Sequence, residues 1–547
     1  MTSALSCCHR REDKGRIAGS GSASSSSQCP KVNKKEPERL RVAILGAGVG
    51  GCSLALWLRE AYGESLDLTV FSDGPVGGRC RSVVIDGDKY EIGATIISEL
   101  NSHFIDFMSR FSLSPRFMKD LTFIPTGVYD GKTFLFKEPD PKSLRFPPLA
   151  PLWAVLSLLK HYGWRALHNL KNSAKGPSAP DFSKLYRLQA EGESFVDVMP
   201  LLETLRPNLS TMATRSTESW LASEGIPKEL IEELATGVMR SNYGGQTCKD
   251  LHALVGLVSL AGGLTSKCFN VVGGNDQVPL KCLEASKADL KKTPAHIVRK
   301  VDNGFEIVFS KQDISTDPMA GNEAKVGAPI DAGGEATEEF DVVVVAHPLE
   351  HSSLRLEGFS SAGSASQASS ISIGRPFRKC VAHLVKASLK REYFHYLDSD
   401  GALPLEVLTT AEATSLPFYS IGLLFPVHIW KTEEAMAIRD SALRGEPQVF
   451  KVFAGRELAV EELAKFLQPP PDSDDSLRPE VVGWYAYPEY EVPQTFKSFV
   501  LDSPGFYYIN AIEQAAGCME MSMIAAKNIA NLIAAEVKTP STTSRTS

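Results

Sequence analysis

Short β-branched runs and helix-spaced apolar runs alternate along this chain. Arg41-Val-Ala-Ile-Leu45 and Asp67-Leu-Thr-Val-Phe71 read as strands, and residues 52–60 (CSLALWLRE) between them repeat apolar positions at helical spacing. The three predict a βαβ unit. Helical spacing recurs at 103–111, 152–172 and 216–235, and strand patterns return at 296–301 and 305–309. A polar, Gly- and Ala-rich insert at 313–339 reads as a loop between paired strands, and 360–372 and 469–479 read as surface loops. The run Asp341-Val-Val-Val-Val-Ala346 lacks polar alternation, which predicts a strand buried on both faces, as parallel sheets require. A strand at 506–510 and an amphipathic helix over 518–535 close the chain.

Composition narrows the class. The 547 residues are 43% hydrophobic and 22% charged, as in a globular protein. The net charge of -7 argues against nucleic acid as a main ligand. The ten cysteines (7, 8, 29, 52, 80, 248, 268, 282, 380, 518) include no C-x-x-C pair, so they are expected to be thiols, without a disulfide framework or a metal site. The apolar runs 151–159 and 251–264 fall short of the roughly 20 residues that cross a bilayer. No transmembrane segment is expected, and peripheral contact with a membrane is left open. Residues 1–40 are rich in Ser, Gly, Lys and Arg, lack the apolar run of a signal peptide, and read as a disordered tail.

The first βα turn carries Gly46-Ala47-Gly48-Val49-Gly50-Gly51. Strand before and helix behind are the context in which this spacing binds a dinucleotide: a tight turn, backbone close to the pyrophosphate, and close helix packing. The helix N-terminus then offers free N–H groups and partial positive charge. The second strand ends in Ser72-Asp73, where the pattern expects an acid for the ribose. Either Asp73 reaches the ribose by a shifted turn, or Ser72 makes a neutral bond.

Val76-Gly77-Gly78-Arg79, followed by Tyr90-Glu91-Ile92-Gly93-Ala94, resembles the second cofactor signature of FAD-dependent amine oxidases and related flavoproteins. The resemblance implies FAD, with Gly77, Gly78, Gly93 and Ala94 close to the cofactor and Arg79 neutralising a diphosphate oxygen. The fold class expected is α/β: a Rossmann-type FAD-binding domain (amine-oxidase- and GDI-like) with an inserted mixed α+β substrate domain. The FAD domain is drawn at 41–100, 270–350 and 500–537, the substrate domain at 101–269 and 351–499, and a second polar tail at 538–547.

Later strings narrow the family. They are Val238-Met-Arg240-Ser-Asn242-Tyr243-Gly244, Val271-Val-Gly273-Gly274-Asn275, Ala486-Tyr487-Pro488-Glu-Tyr490, and Tyr507-Tyr508-Ile-Asn510-Ala-Ile-Glu513-Gln-Ala515-Ala516, running into Met519-Glu520-Met521-Ser522. In this order they resemble the prenylcysteine oxidase (prenylcysteine or farnesylcysteine lyase) family. The resemblance implies oxidation of the thioether of farnesyl- or geranylgeranyl-cysteine by FAD and molecular oxygen, releasing cysteine, an isoprenoid aldehyde and hydrogen peroxide. It places Glu513 and Met519 beside the cofactor, with the N–H groups of 515–522 toward the flavin pyrimidine, and gives Glu513 no catalytic role. Arg240, Asn242 and Tyr243 are candidates for the polar mouth of an apolar tunnel, and 152–159 and 254–264 are either tunnel lining or ordinary core. The resemblance also implies a lysosome or lytic vacuole; the missing signal peptide leaves cytosol and plastid open. Two other readings stay open: another FAD-dependent amine oxidase or isoprenoid desaturase, and a GDI-like prenyl carrier without redox chemistry.

Overall fold

The computed structural model describes residues 39–538, apart from 145, 176–180, 207–208, 265–266, 312–333, 360–374, 397–400 and 472–475. Residues 1–38 and 539–547 of the expected tails lie outside the described residues, as do 313–333 of the insert, all of 360–372, and 472–475.

Five parallel strands form the sheet that carries the glycine motif. β1 (Leu40–Leu45) lies between β2 (Leu66–Phe71) and Val342–Val345, with Asp289–Lys291 beyond β2 and Phe506–Tyr508 beyond Val342–Val345. Val42, Ala43, Ile44 and Val343 to Val345 are fully buried, which is why these strands read as unbroken apolar runs. α1 (Val49–Tyr62) packs against the helix Gln277–Ser286 and the C-terminal helix Met519–Lys538. On β2, Phe71 meets Phe309 and Phe340 edge-on, at 5.1 and 6.1 Å between centroids. Those two rings belong to a second sheet in which Gly304–Ser310 pairs antiparallel with Ala295–Val301 and with Glu335–Phe340, so the loop expected over 313–339 joins paired strands but its last residues, 335–339, are part of the second strand.

The core under this sheet continues past residue 100 into α2 (Ser102–Arg110), through Phe104, Phe107 and Met108. Glu520, 4% exposed on the C-terminal helix, accepts the backbone N–H groups of His103 and Phe104 at 2.8 and 3.1 Å. It serves α2 as an N-terminal cap from a distant segment, and burial pushes its carboxyl up to about 7.

A larger sheet runs Leu467–Gln468, Phe377–Leu389, Gln448–Ala454, Ser420–Leu423, Glu406–Thr409, Thr126–Tyr129 and Phe134–Lys137, with Glu480–Pro488 also paired to Phe377–Leu389. The parallel pairing of Glu406–Thr409 with Thr126–Tyr129 joins the two segments drawn as the substrate domain. A helical layer beside it includes Thr236–Asn242 and Ala253–Leu264.

Three elements differ from the sequence pattern, each for a local reason. The helix expected over 152–172 is two, Ala150–Tyr162 and Trp164–Lys175, because Gly163 takes a φ of +81° between them. The helix expected over 216–235 stops at Ser223. Gly225 and Pro227 turn the chain before Lys228–Leu230 and one π turn, Ile231–Ala235. The last strand ends at Tyr508, and Ile509–Gln514 winds into a 3₁₀ turn. All seven described cysteines are free thiols.

Because Ile44 is fully buried on the central strand, Ile44→Ala is expected to lower unfolding free energy by about 2–5 kcal/mol. Val84→Ala, at a side chain 45% exposed, is expected to change it by less than about 0.5 kcal/mol. Equilibrium denaturation of both variants checks the contrast.

Candidate functional site

The site begins at the C-terminal edge of the parallel sheet, where open α/β sheets bind ligands. The Gly46 N–H donates to the Phe71 carbonyl at 2.8 Å, so the turn leaves β1 in contact with the end of β2. A Cβ on Gly51 would collide with the Gly46 carbonyl, which fixes glycine there. Gly50 packs against Ile509, and the Ala47 carbonyl accepts the Gly77 N–H at 2.8 Å. That bond and a Gly48–Gly77 bridge join the two glycine motifs backbone to backbone. Gly78 lies over Gly48, with its Cβ position 3.3 Å from the Gly48 Cα.

At Gly48 a Cβ would meet nothing within 4 Å. The first turn of α1 that follows has neither a side-chain cap nor an acidic residue. Open space before uncapped N–H groups fits a diphosphate. Ser72 and Asp73 follow the end of β2; the Ser72 hydroxyl donates to the Gly74 carbonyl at 3.2 Å, and Asp73 is exposed. The Ala94 N–H donates to the Arg79 carbonyl at 3.0 Å, and Gly93 lies so close to that carbonyl that no Cβ fits.

Arg79 was expected on a diphosphate oxygen. Its guanidinium grips Glu513 with both terminal nitrogens, Nη1 at 2.8 Å, and donates from Nη1 to the Ala486 carbonyl at 2.5 Å. Glu513 is 1% exposed and also accepts the Asn510 amide at 2.7 Å. Desolvation pulls the guanidinium pKa down and Glu513 pulls it up; the pairing wins, and the net shift is upward. One ion pair thus ties the second glycine motif to both C-terminal strings.

Three tyrosines gather beside it. Tyr243 meets Tyr487 and Tyr490 edge-on, with centroids 5.1 and 5.6 Å apart. The Tyr490 hydroxyl donates to the Glu513 carbonyl at 3.0 Å and accepts the Gly517 N–H at 2.9 Å. A Cβ on Gly517 would sit 3.1 Å from the Tyr487 ring. Burial drives all three phenols above their ordinary pKa. Cys518 is exposed, yet surrounding protein desolvates its thiol and raises it to about 12. Met519, partly buried, opens the helix that follows.

Of the three mouth candidates, only Tyr243 joins this cluster. Arg240, 7% exposed, donates to the Thr409 hydroxyl at 3.0 Å and lies over the Tyr419 ring; burial lowers its pKa. Asn242 donates to the Ser259 hydroxyl at 2.9 Å, holding Thr236–Asn242 to Ala253–Leu264. Of residues 152–159, Leu152, Trp153, Val155 and Leu156 are exposed and Ala154 is buried.

Sequence reasoning missed two buried polar anchors. His252 shares a 2.9 Å bond with the Gln514 carbonyl and meets Tyr490 edge-on; burial lowers it to about 4, so it is neutral at pH 7. Lys451 donates to the Glu91 and Gly93 carbonyls at 3.3 Å and the Thr95 hydroxyl at 3.0 Å, with Glu91 accepting the Asn275 N–H and the Asn270 amide. Desolvation lowers the lysine and raises the glutamate. Neither anchor has a local signal, since its partners lie hundreds of residues away.

Glu513→Gln leaves Arg79 without its counter-charge and is expected to destabilise the protein by about 3–5 kcal/mol, read by urea unfolding. His252 gives a second handle. Its folded pKa lies below the ordinary value of 6.5, so its contribution is complete above about pH 6.5 and is lost as pH falls toward about 4. The slope of stability against pH over that window is expected to flatten in His252→Gln, measured against wild type.

The NAD(P)-binding Rossmann-like domain model matches residues 44–111, over the glycine cradle. Among relatives, bovine (Bos taurus) prenylcysteine oxidase 1 is 28% identical, over 90% of this chain and 88% of its own. Farnesylcysteine lyase of Arabidopsis thaliana is 29% identical, over 90% and 87%. Among solved structures, cyclohexylamine oxidase from Brevibacterium oxydans superposes with a TM-score of 0.52 at 16% identity, covering 92% of this chain and all of its own, and shows the shared fold. The prenylcysteine lyase family model matches residues 150–544, spanning the tyrosine cluster, Glu513 and the C-terminal helix, and by that match the chain belongs to the prenylcysteine lyase family.

Proposed function

We propose that this chain is an FAD-dependent oxidase of prenylcysteine thioethers, taking farnesyl- or geranylgeranyl-cysteine and oxygen to cysteine, isoprenoid aldehyde and hydrogen peroxide. The observation that carries the reading is the Arg79–Glu513 pair, which draws the family's C-terminal strings to the dinucleotide cradle. Family membership favours it over the amine oxidase, desaturase and carrier readings.

The open face of Gly48 and the uncapped first turn of α1 hold the cofactor's diphosphate. FAD, when bound, would supply a two-electron acceptor for the allylic carbon next to sulfur, with oxygen as the final acceptor. Loss of hydride is eased by the sulfur lone pair and the double bond, and water addition then gives a hemithioacetal that falls apart to thiol and aldehyde. The chain's own task is to orient and to exclude. Tyr243, Tyr487 and Tyr490 pack edge-on into an aromatic cluster beside the cradle, apolar surroundings that suit an isoprenoid chain. Arg79, the cation at this cluster, is neutralised by Glu513.

Farnesylcysteine added anaerobically to the purified yellow protein is expected to bleach the flavin's visible band, with oxygen restoring the colour and farnesal accumulating. A bound flavin that stays oxidised overturns the substrate assignment. A colourless protein that cannot be loaded with FAD overturns the oxidase reading altogether.

A further inference from the structure

The helix Ala150–Tyr162 buries only Ala150 and Ala154. Its large apolar side chains face outward: Leu152, Trp153, Val155 and Leu156, with Leu149 before it and Trp164 after it, are 43% to 67% exposed. Leu149, Leu152, Trp153 and Leu156 follow the i, i+3, i+4, i+7 spacing, so they form one stripe along one side of the helix. A stripe of that spacing ordinarily faces a core. Here it faces away from the protein, which is the mark of a surface made for contact.

Charge identifies the contact. Residues 141–180 contain six Lys or Arg and no Asp or Glu, in a chain whose net charge is -7. Lys160 falls at the end of the apolar stripe and Arg165 one residue after Trp164; both are exposed. Glu233, an acid that contacts this helix, is engaged there by the Tyr162 hydroxyl at 2.9 Å and by His161 at 3.2 Å. Leucine and tryptophan on one face, flanked by lysine and arginine without acids, is the composition of helices that lie in the headgroup layer of an anionic bilayer. Among the described residues no helix is long and apolar enough to cross a membrane, so the contact is a peripheral one. We propose that Ala150–Tyr162, with Leu149 and Trp164, is an interfacial helix that docks this protein on anionic lipid membranes.

The neighbouring helix Trp164–Lys175 packs on Ala253–Leu264, which packs in turn on Thr236–Asn242, the element that leads to Tyr243. The docking surface and the tyrosine cluster are therefore linked through three packed helices. For a substrate carrying an isoprenoid tail, and resting on the function proposed above, docking brings the protein to the phase into which its substrate partitions.

Co-sedimentation of the full chain with extruded vesicles tests the proposal without reference to activity. Wild type is expected to pellet with phosphatidylcholine/phosphatidylserine vesicles and to be released by high salt, because screening removes the charge attraction. Leu152→Glu/Leu156→Glu is expected to reduce binding at least tenfold with unchanged thermal melting, and Lys160→Glu/Arg165→Glu to reduce it on anionic vesicles. Wild type that stays in the supernatant overturns the proposal. So does a double glutamate variant that binds as wild type, or a wild-type dimer in sedimentation velocity that this variant dissociates while vesicles go unbound. Flavin bleaching by farnesylcysteine in detergent reports on the chemistry separately, so failure of one reading is distinguishable from failure of the other.

Discussion

The site depends on one ion pair whose acid is held out of water while its arginine stays partly exposed. Arg79 and Glu513 lie 434 residues apart in sequence, yet their charges meet at 2.8 Å with the acid 1% exposed. A pair like this adds little net stability compared with a well-packed apolar substitute, because both ions must be desolvated; removing one partner is what costs heavily. Its value here is register. With Glu513 fixed, the 3₁₀ turn Ile509–Gln514 is fixed, and with it Gly517, the Tyr490 hydroxyl and the start of the C-terminal helix.

Burial also sets the chemical character of the tyrosine cluster and its neighbours. Desolvation favours the neutral form of each group it touches: the phenols and the Cys518 thiol are raised, and His252 is lowered. The result is a cluster of weakly polar, un-ionised groups beside the ion pair that reaches the backbone-built cradle. That division suits a reaction in which a cofactor performs the redox step and the protein supplies shape.

Much of this was legible along the chain. The βαβ unit, the glycine cradle and the buried run Val342–Val345 follow from periodicity, because strands buried on both faces and a helix on a parallel sheet leave strong local patterns. The C-terminal strings pointed to the family, and the family model matches across them. What was not legible depends on long-range pairing. Nothing near Arg79 tells that its partner is Glu513, and nothing near Arg240 tells that it turns to Thr409. Periodicity also says that one side of 150–162 is apolar without saying whether that side meets protein or solvent.

The order of strands in the parallel sheet has a consequence in time. β1 and β2 leave the ribosome early, but the neighbours that complete their sheet are Asp289–Lys291, Val342–Val345 and Phe506–Tyr508. Of the two helices that pack on α1, Met519–Lys538 is the last of the described elements. Contacts so distant in sequence form late and slowly, since a long loop must close before any of them is gained. During translation the glycine cradle is therefore a half-built ledge with apolar strand edges open to other chains. The ion pair closes it only when Glu513 has been made, so synthesis through residue 513 precedes a finished cradle.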